Sequence, residues 1–109
     1  MAVEVREGSG TDIWVYDLQR DAPTRLTFDG MAQFPVFSSD GRYIVFRNTV
    51  RGMSVIRSDG AGAPQPFTQS KLIQYPFSFT ADGRRMAFLQ QTGGTSYDVW
   101  NVPTQSVPA

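Results

Sequence analysis

The residues best suited to chemistry in this chain are its carboxylates, and two recur in one local setting: Asp40 and Asp82 each precede a glycine and then an arginine. Paired carboxylates do general acid–base work when one is pushed toward neutral pH and the other stays ionised. An aspartate before glycine is also a turn signal, its side chain accepting hydrogen bonds from turn amides. The identical placement of the two copies favours that structural role. Asp12, Asp17 and Asp98 offer oxygen ligands for calcium, but none stands in a loop with ligands at alternate positions, as an EF-hand loop requires. Ser9, Ser38, Ser39, Ser78 and Lys71 include the members of a serine–lysine dyad without a spacing that joins them. Arg84 with Arg85, and Arg47 with Arg51, could grip an acidic partner through bidentate pairing, although solvated strand faces carry such residues routinely. Trp14 and Trp100 could stack on a base or a sugar. As large aromatics at equivalent places they fit better as packing between layers, as do Phe34, Phe37, Tyr75, Phe77 and Phe79.

Composition removes much of the rest. The chain of 109 residues has no cysteine and no histidine, which excludes disulfides, thiolate chemistry, histidine metal ligands and histidine-based triads. No general base stronger than a carboxylate is at hand near neutral pH without a large pKa shift. Ten basic residues balance ten acidic ones, so no net field draws nucleic acid or an anionic membrane. The first ten residues carry Glu4, Arg6 and Glu7 in place of the apolar run of a signal peptide, and no later stretch approaches membrane-spanning length. The expectation is a non-enzymatic chain with no catalytic residue, no cofactor, no metal, no nucleic-acid partner and no membrane insertion.

The elements that would position these residues are strands. Apolar residues alternate in short runs at 13–16, 43–46 and 86–89, rich in β-branched and aromatic side chains. Turn pairs separate them at Asp29-Gly30, Asp40-Gly41, Asp59-Gly60, Asp82-Gly83 and Gly93-Gly94, and no window of helical length escapes a breaker. The chain reads as all-β and antiparallel.

Self-similarity then sets the architecture. Gln33-Phe34-Pro35 recurs as Gln74-Tyr75-Pro76, 41 residues on, and Asp40-Gly41-Arg42 as Asp82-Gly83-Arg84, 42 residues on. The difference implies one extra residue between Pro76 and Asp82, which a bulge would absorb. Asp12-Ile13-Trp14-Val15 matches Asp98-Val99-Trp100-Asn101, with a degenerate middle copy at Gly52-Met53-Ser54-Val55, and Leu26-Thr27 matches Phe67-Thr68. A unit of about 42 residues holding four short strands is the size of one β-propeller blade. The expected strands are B, C and D near 2–6, 12–18 and 24–28; A to D near 34–38, 43–48, 53–58 and 65–68; and A, B and C near 75–80, 85–90 and 98–102. The chain is thus expected to be a single partial β-propeller of antiparallel four-stranded blades: an incomplete blade over 1–30, a complete one over 31–71, an incomplete one over 72–104 and a tail over 105–109. Pro35, Asp40, Gly41, Pro76, Asp82, Gly83, Trp14 and Trp100 mark the repeat, and Pro103 and Pro108 suit a chain end leaving the sheet from Val102 onward.

These residues resemble the bacterial WD-like propeller repeats of the TolB type, found also in sensor and peptidase propellers. The likeness lies in Phe34 to Arg42 followed by Ile44-Val45-Phe46, in Tyr75-Pro76 to Arg84 followed by Met86-Ala87-Phe88, in the aspartate–aliphatic–tryptophan strands at Asp12 and Asp98, and in Arg25-Leu26-Thr27. Phe37 and Phe79 stand where that family has tryptophan, and Ser39 and Ala81 replace its turn proline. The resemblance implies a propeller acting by protein binding in the periplasm or another extracytoplasmic space. The alternatives it leaves are the propeller portion of a peptidase or other enzyme whose catalytic domain lies elsewhere, and the sensor domain of a bacterial kinase. Fold alone does not choose among them.

Two to three blades cannot close a ring of about four to eight. The first blade lacks its innermost strand and the last its outermost, so strand edges and apolar faces are left open. The expectation is a fragment of a longer propeller or a homo-oligomer that pairs edges or stacks blade faces, with a protein partner of unknown identity.

Overall fold

The computed structural model describes residues 2–16, 23–50, 52–68, 70, 72–93 and 96–103. All the sheets formed there are antiparallel and no described residue is helical. The first sheet contains β1 (Ala2–Glu7), β2 (Gly10–Val15) and β3 (Thr24–Arg25) in that spatial order. The middle sheet has four strands in sequence order: β4 (Ala32–Phe37), β5 (Tyr43–Asn48), β6 (Met53–Arg57) and β7 (Gln65–Thr68). The third contains β8 (Gln74–Phe79), β9 (Arg85–Gly93) and β10 (Ser96–Pro103). The fold is that of a partial β-propeller.

The core follows from strand alternation. Successive side chains of a strand point to opposite faces, so a single covering layer buries only every second residue. In the middle sheet Ile44, Val45 and Phe46 are all buried, as are Met53, Ser54, Val55 and Ile56. Two clusters divide them. Ile44, Phe46 and Ile56 pack with Ile13, Leu26 and Ala32 toward the first sheet. Val45, Met53, Val55 and Phe67 pack with Met86 and Phe88 of the third. The middle sheet is therefore an inner layer with a neighbour on each side.

One device recurs where the chain passes from one sheet to the next. The Thr27 hydroxyl accepts the amide of Ile13 at 2.9 Å, and the Thr68 hydroxyl accepts that of Met53 at 3.0 Å. Each threonine thereby ties the connector leaving a sheet back to that sheet's third strand position. Gly52 makes room for the second tie: its φ is +49°, and a Cβ there would lie 2.6 Å from the Thr68 carbonyl oxygen. A side chain at this position meets both a backbone clash and a left-handed conformation. Thr27 also explains why β3 is only two residues long instead of the expected 24–28, since Leu26 and Thr27 leave the ladder to reach Ile13.

The remaining strands lie within a few residues of their expected places. β10 runs to Pro103 rather than ending where a tail was expected at Val102; it is a sheet edge, where a missing amide costs nothing. Val102 packs against the second cluster. Residues 17–22 and the tail over 105–109 lie outside the described residues. A bulge does fall between Pro76 and Ser78, but β4 carries one too, between Gln33 and Val36. The two sheets in fact match at an offset of 42 throughout, with hairpins of equal length closed by Phe37–Ile44 and Phe79–Met86, so no extra residue is inserted; Gln74, opposite Gln90, stands at the place of Ala32, and Tyr75, opposite Leu89, at the place of Gln33.

Because the middle sheet is covered on both faces, Ile44→Ala and Met53→Ala, on opposite faces, should each cost about 2–5 kcal/mol in urea unfolding. Val99→Ala, on an open face of the third sheet, should stay within about 0.5 kcal/mol.

Candidate interaction surfaces

The two repeated aspartates sit at one end of the sheets, in the turns between the first and second strands of the repeat. Asp40 accepts the Ser38 hydroxyl at 2.7 Å and the Arg42 amide at 3.0 Å, and Asp82 accepts the Thr80 hydroxyl at 2.7 Å and the Arg84 amide at 3.0 Å. Gly41 and Gly83 complete the turns at φ of 75° and 73°. The Ser38 and Thr80 bonds, with the amides second, hold both carboxyls below the ordinary carboxylate range. Both groups are thus fixed as anions that cap turns, a state unsuited to donating or shuttling protons near neutral pH.

Asp12 is different because it is buried. Its carboxylate accepts from Thr27 Oγ1 at 2.8 Å, Arg25 Nη2 at 2.8 Å and the Gly30 amide at 3.0 Å. Burial alone would raise its pKa; the Thr27, Gly30 and Arg25 bonds outweigh burial and lower it. Asp98 lies exposed on β10 and Asp17 outside the described residues. No group of three carboxylates gathers among the described residues. Arg25 also stacks over Trp14, 5.9 Å from the ring centroid, and over Phe28 at 5.0 Å. Trp14 is half-buried on the first sheet's outward face, whereas Trp100 on β10 is 50% exposed.

At the opposite end of the sheets, where the inner strands begin, aromatic rings and a cation converge. Phe34 meets Tyr75 edge-on with centroids 5.0 Å apart, and Tyr75 meets Tyr97 at 5.9 Å. The Arg47 guanidinium lies 5.1 Å from the Tyr75 centroid and donates to Gln33 Oε1 at 2.6 Å. A hydrogen bond shared with Tyr75 raises the Tyr97 phenol above its ordinary value. Thr68 Oγ1 donates to Gln74 Oε1 at 2.6 Å and Gln74 Nε2 to Gln90 Oε1 at 2.7 Å, a polar chain below the rings. Phe34 is 45% exposed and Phe77 is 68% exposed, although both read as interlayer packing in the sequence. The β4 and β8 bulges turn them out, and Phe34 adopts a φ of 55°. Phe37 and Phe79 pack against the two clusters as expected. Exposed Phe34 and Tyr97 beside half-buried Tyr75 and Arg47 match the composition of interface hot spots. The patch is formed by long-range contacts among residues the repeat scatters. Arg51, expected beside Arg47, lies outside the described residues, as does Lys71.

The outer faces of the end sheets form the other surfaces. On the first sheet these are Val3, Val5, Trp14 and Tyr16, and on the third Ala87, Leu89 and Val99, the last 73% exposed. Arg85 Nε donates to the Asn101 side chain at the rim.

No protein-family model matches the sequence, and no curated protein matches it. Solved structures do. A protein of Agrobacterium tumefaciens designated as a TolB superposes with a TM-score of 0.81 at 21% identity, over 96% of this chain and 42% of its own. The TolB of Acinetobacter baumannii gives a TM-score of 0.73 at 23% identity, over 94% of this chain and 26% of its own. The chain therefore spans less than half the length of either, and its fold is of the TolB propeller type.

The Asp12 site carries a pH signature. A carboxyl whose folded pKa is lowered contributes stability that is present above its unfolded value, near 3.8, and lost as the pH falls through the folded value. Asp12→Asn should lower stability by about 1.5–3 kcal/mol at neutral pH and flatten the acid limb of the stability–pH curve relative to the unsubstituted chain, both read by urea titration across the acid range.

Proposed function

We propose that the chain is a non-catalytic β-propeller segment that works as a protein-interaction scaffold, with the open faces of its end sheets as docking surfaces. The reading is carried by one observation: the middle sheet buries both its faces, and each end sheet buries one. In a closed propeller every blade is flanked by two others. In a longer polypeptide further blades supply that cover; for this chain by itself a second copy does.

The repeat supports a head-to-tail arrangement. The threonine ties make Ile13 and Met53 counterparts, and pairing carries the equivalence to Val99. Val99, Leu89 and Ala87 thus occupy the places of Met53, Arg47 and Val45, the face that the middle sheet presents to the third. Val3 stands at the place of Phe46, on the face presented to the first. Docking the third sheet of one copy on the first sheet of the next continues the internal interface as a heterologous contact. The patch of Phe34 and Tyr97, with half-buried Tyr75 and Arg47 between them, remains available to a partner protein. The resemblance of the repeat to TolB-type propellers supports a location outside the cytoplasm for this scaffold.

Sedimentation over a hundredfold dilution tests the self-association. The expected result is a stable multiple of the 12.1 kDa chain mass. Val99→Arg and Val3→Arg should each dissociate it, and mixing the two variants should restore a dimer and nothing larger, because each supplies the face the other has lost. A single species of chain mass at every concentration would overturn the head-to-tail reading.

A further inference from the structure

Two arginines among the described residues are half-buried, Arg25 and Arg47, and they are satisfied differently. Arg25 pairs with the Asp12 carboxylate at 2.8 Å. Arg47 meets no carboxylate among the described residues: its Nη1 donates to the neutral Gln33 side chain at 2.6 Å, and its guanidinium lies over the Tyr75 ring, 5.1 Å from the centroid. Stacking occupies the face of a guanidinium and leaves the N–H groups of its edge to other acceptors. Glu4, which reaches the patch from the first sheet, takes the Phe34 amide instead.

The framework does not require a cation at this place. Strand pairing makes Leu89 the counterpart of Arg47 in the third sheet and Tyr75 the counterpart of Gln33, whereas the turn aspartates, Phe37 and Phe79 are common to both sheets. The repeat therefore forms with leucine where Arg47 stands, and the arginine departs from it where aromatic rings gather. Phe34, 45% exposed, meets Tyr75 edge-on at 5.0 Å, and Tyr97 lies against Tyr75 at the rim. Phe34 is held there at a φ of 55°, left-handed backbone that disfavours a bulky side chain and concentrates at functional sites. Arg47, Phe34 and Tyr75 all belong to the junction of the middle and third sheets, both sides of which lie within this chain.

We infer that, on the scaffold reading on which this rests, Arg47 receives a carboxylate from an acidic segment of the partner protein, with the Phe34 and Tyr75 rings packed against the apolar neighbours of that acid. A half-buried cation without a counter-ion is costly to desolvate further, and an incoming carboxylate offsets that cost as the interface closes. One guanidinium suits a carboxylate, with which it makes two parallel hydrogen bonds. Nucleic acid is disfavoured as the occupant, because it requires several cations along a backbone and the ten basic residues of the chain are balanced by ten acidic ones.

The test pans random peptides displayed on phage against the immobilised full chain and measures the enriched sequences, as labelled synthetic peptides, by fluorescence anisotropy. The expected result is a shared aspartate or glutamate beside apolar residues, and replacing that acid by its amide should weaken binding about tenfold. Arg47→Lys, which keeps the charge and loses the planar fork, should weaken it to a similar degree. Arg47→Leu places there the residue that the third sheet already carries, so the circular dichroism should be retained and the binding lost. Arg42→Leu, at the opposite end of the sheets, should change nothing. Enriched peptides that share no acid but lose binding on Phe34→Ala would keep the patch as a docking surface and overturn the carboxylate. Acidic peptides that bind Arg47→Leu unchanged would overturn the site. Enrichment of no sequence at all would count against the scaffold reading as well.

Discussion

A strand apolar at every position cannot be satisfied by one neighbour, and that constraint organises this molecule. β5 and β6 carry buried residues without interruption across Ile44–Phe46 and Met53–Ile56. With side chains alternating between faces, the middle sheet needs a layer on either side, and the first and third sheets are those layers. Each can then be amphipathic, with its remaining face available to whatever lies beyond. The propeller-like succession of sheets is thus the solution to burying a two-faced apolar sheet, and the open ends are its consequence.

The layers are held in register by the connectors. Thr27 and Thr68 each close the step from one sheet to the next on the amide of the third strand, but their hydroxyl protons go to different acceptors: Asp12 in the first case and Gln74 in the second. In the first junction this produces a buried charge satisfied by Arg25 and Gly30; in the second it begins a neutral chain reaching Gln90. Unpaired, such buried groups would cost more than their bonds contribute, so each junction accepts only a narrow range of side chains.

Much of this was legible in the sequence. Aspartate–glycine pairs announced turns because few residues accept left-handed backbone, and two-residue alternation announced strands. The recurrence of Leu26-Thr27 at Phe67-Thr68 marked the connectors without revealing that the hydroxyl ties the sheets. What could not be read depended on contacts distant in the chain. Phe34 and Phe77 look like core aromatics, yet a bulge on each inner strand turns them toward solvent. Nothing in the spacing of Arg47, Tyr75 and Tyr97 foretells that they share one patch, since that proximity comes from two sheets packing together. The early end of β3 likewise reflects competition between ladder pairing and the tie at Ile13.

Amide hydrogen exchange on the dilute chain tests the central claim most directly. If the doubly covered middle sheet holds the structure together, the amides of β5 and β6 exchange only through global unfolding, while those of β10 and of the free edge of β1 exchange through local opening several orders of magnitude faster. Uniform protection across all three sheets, or slowest exchange in β10, would contradict it.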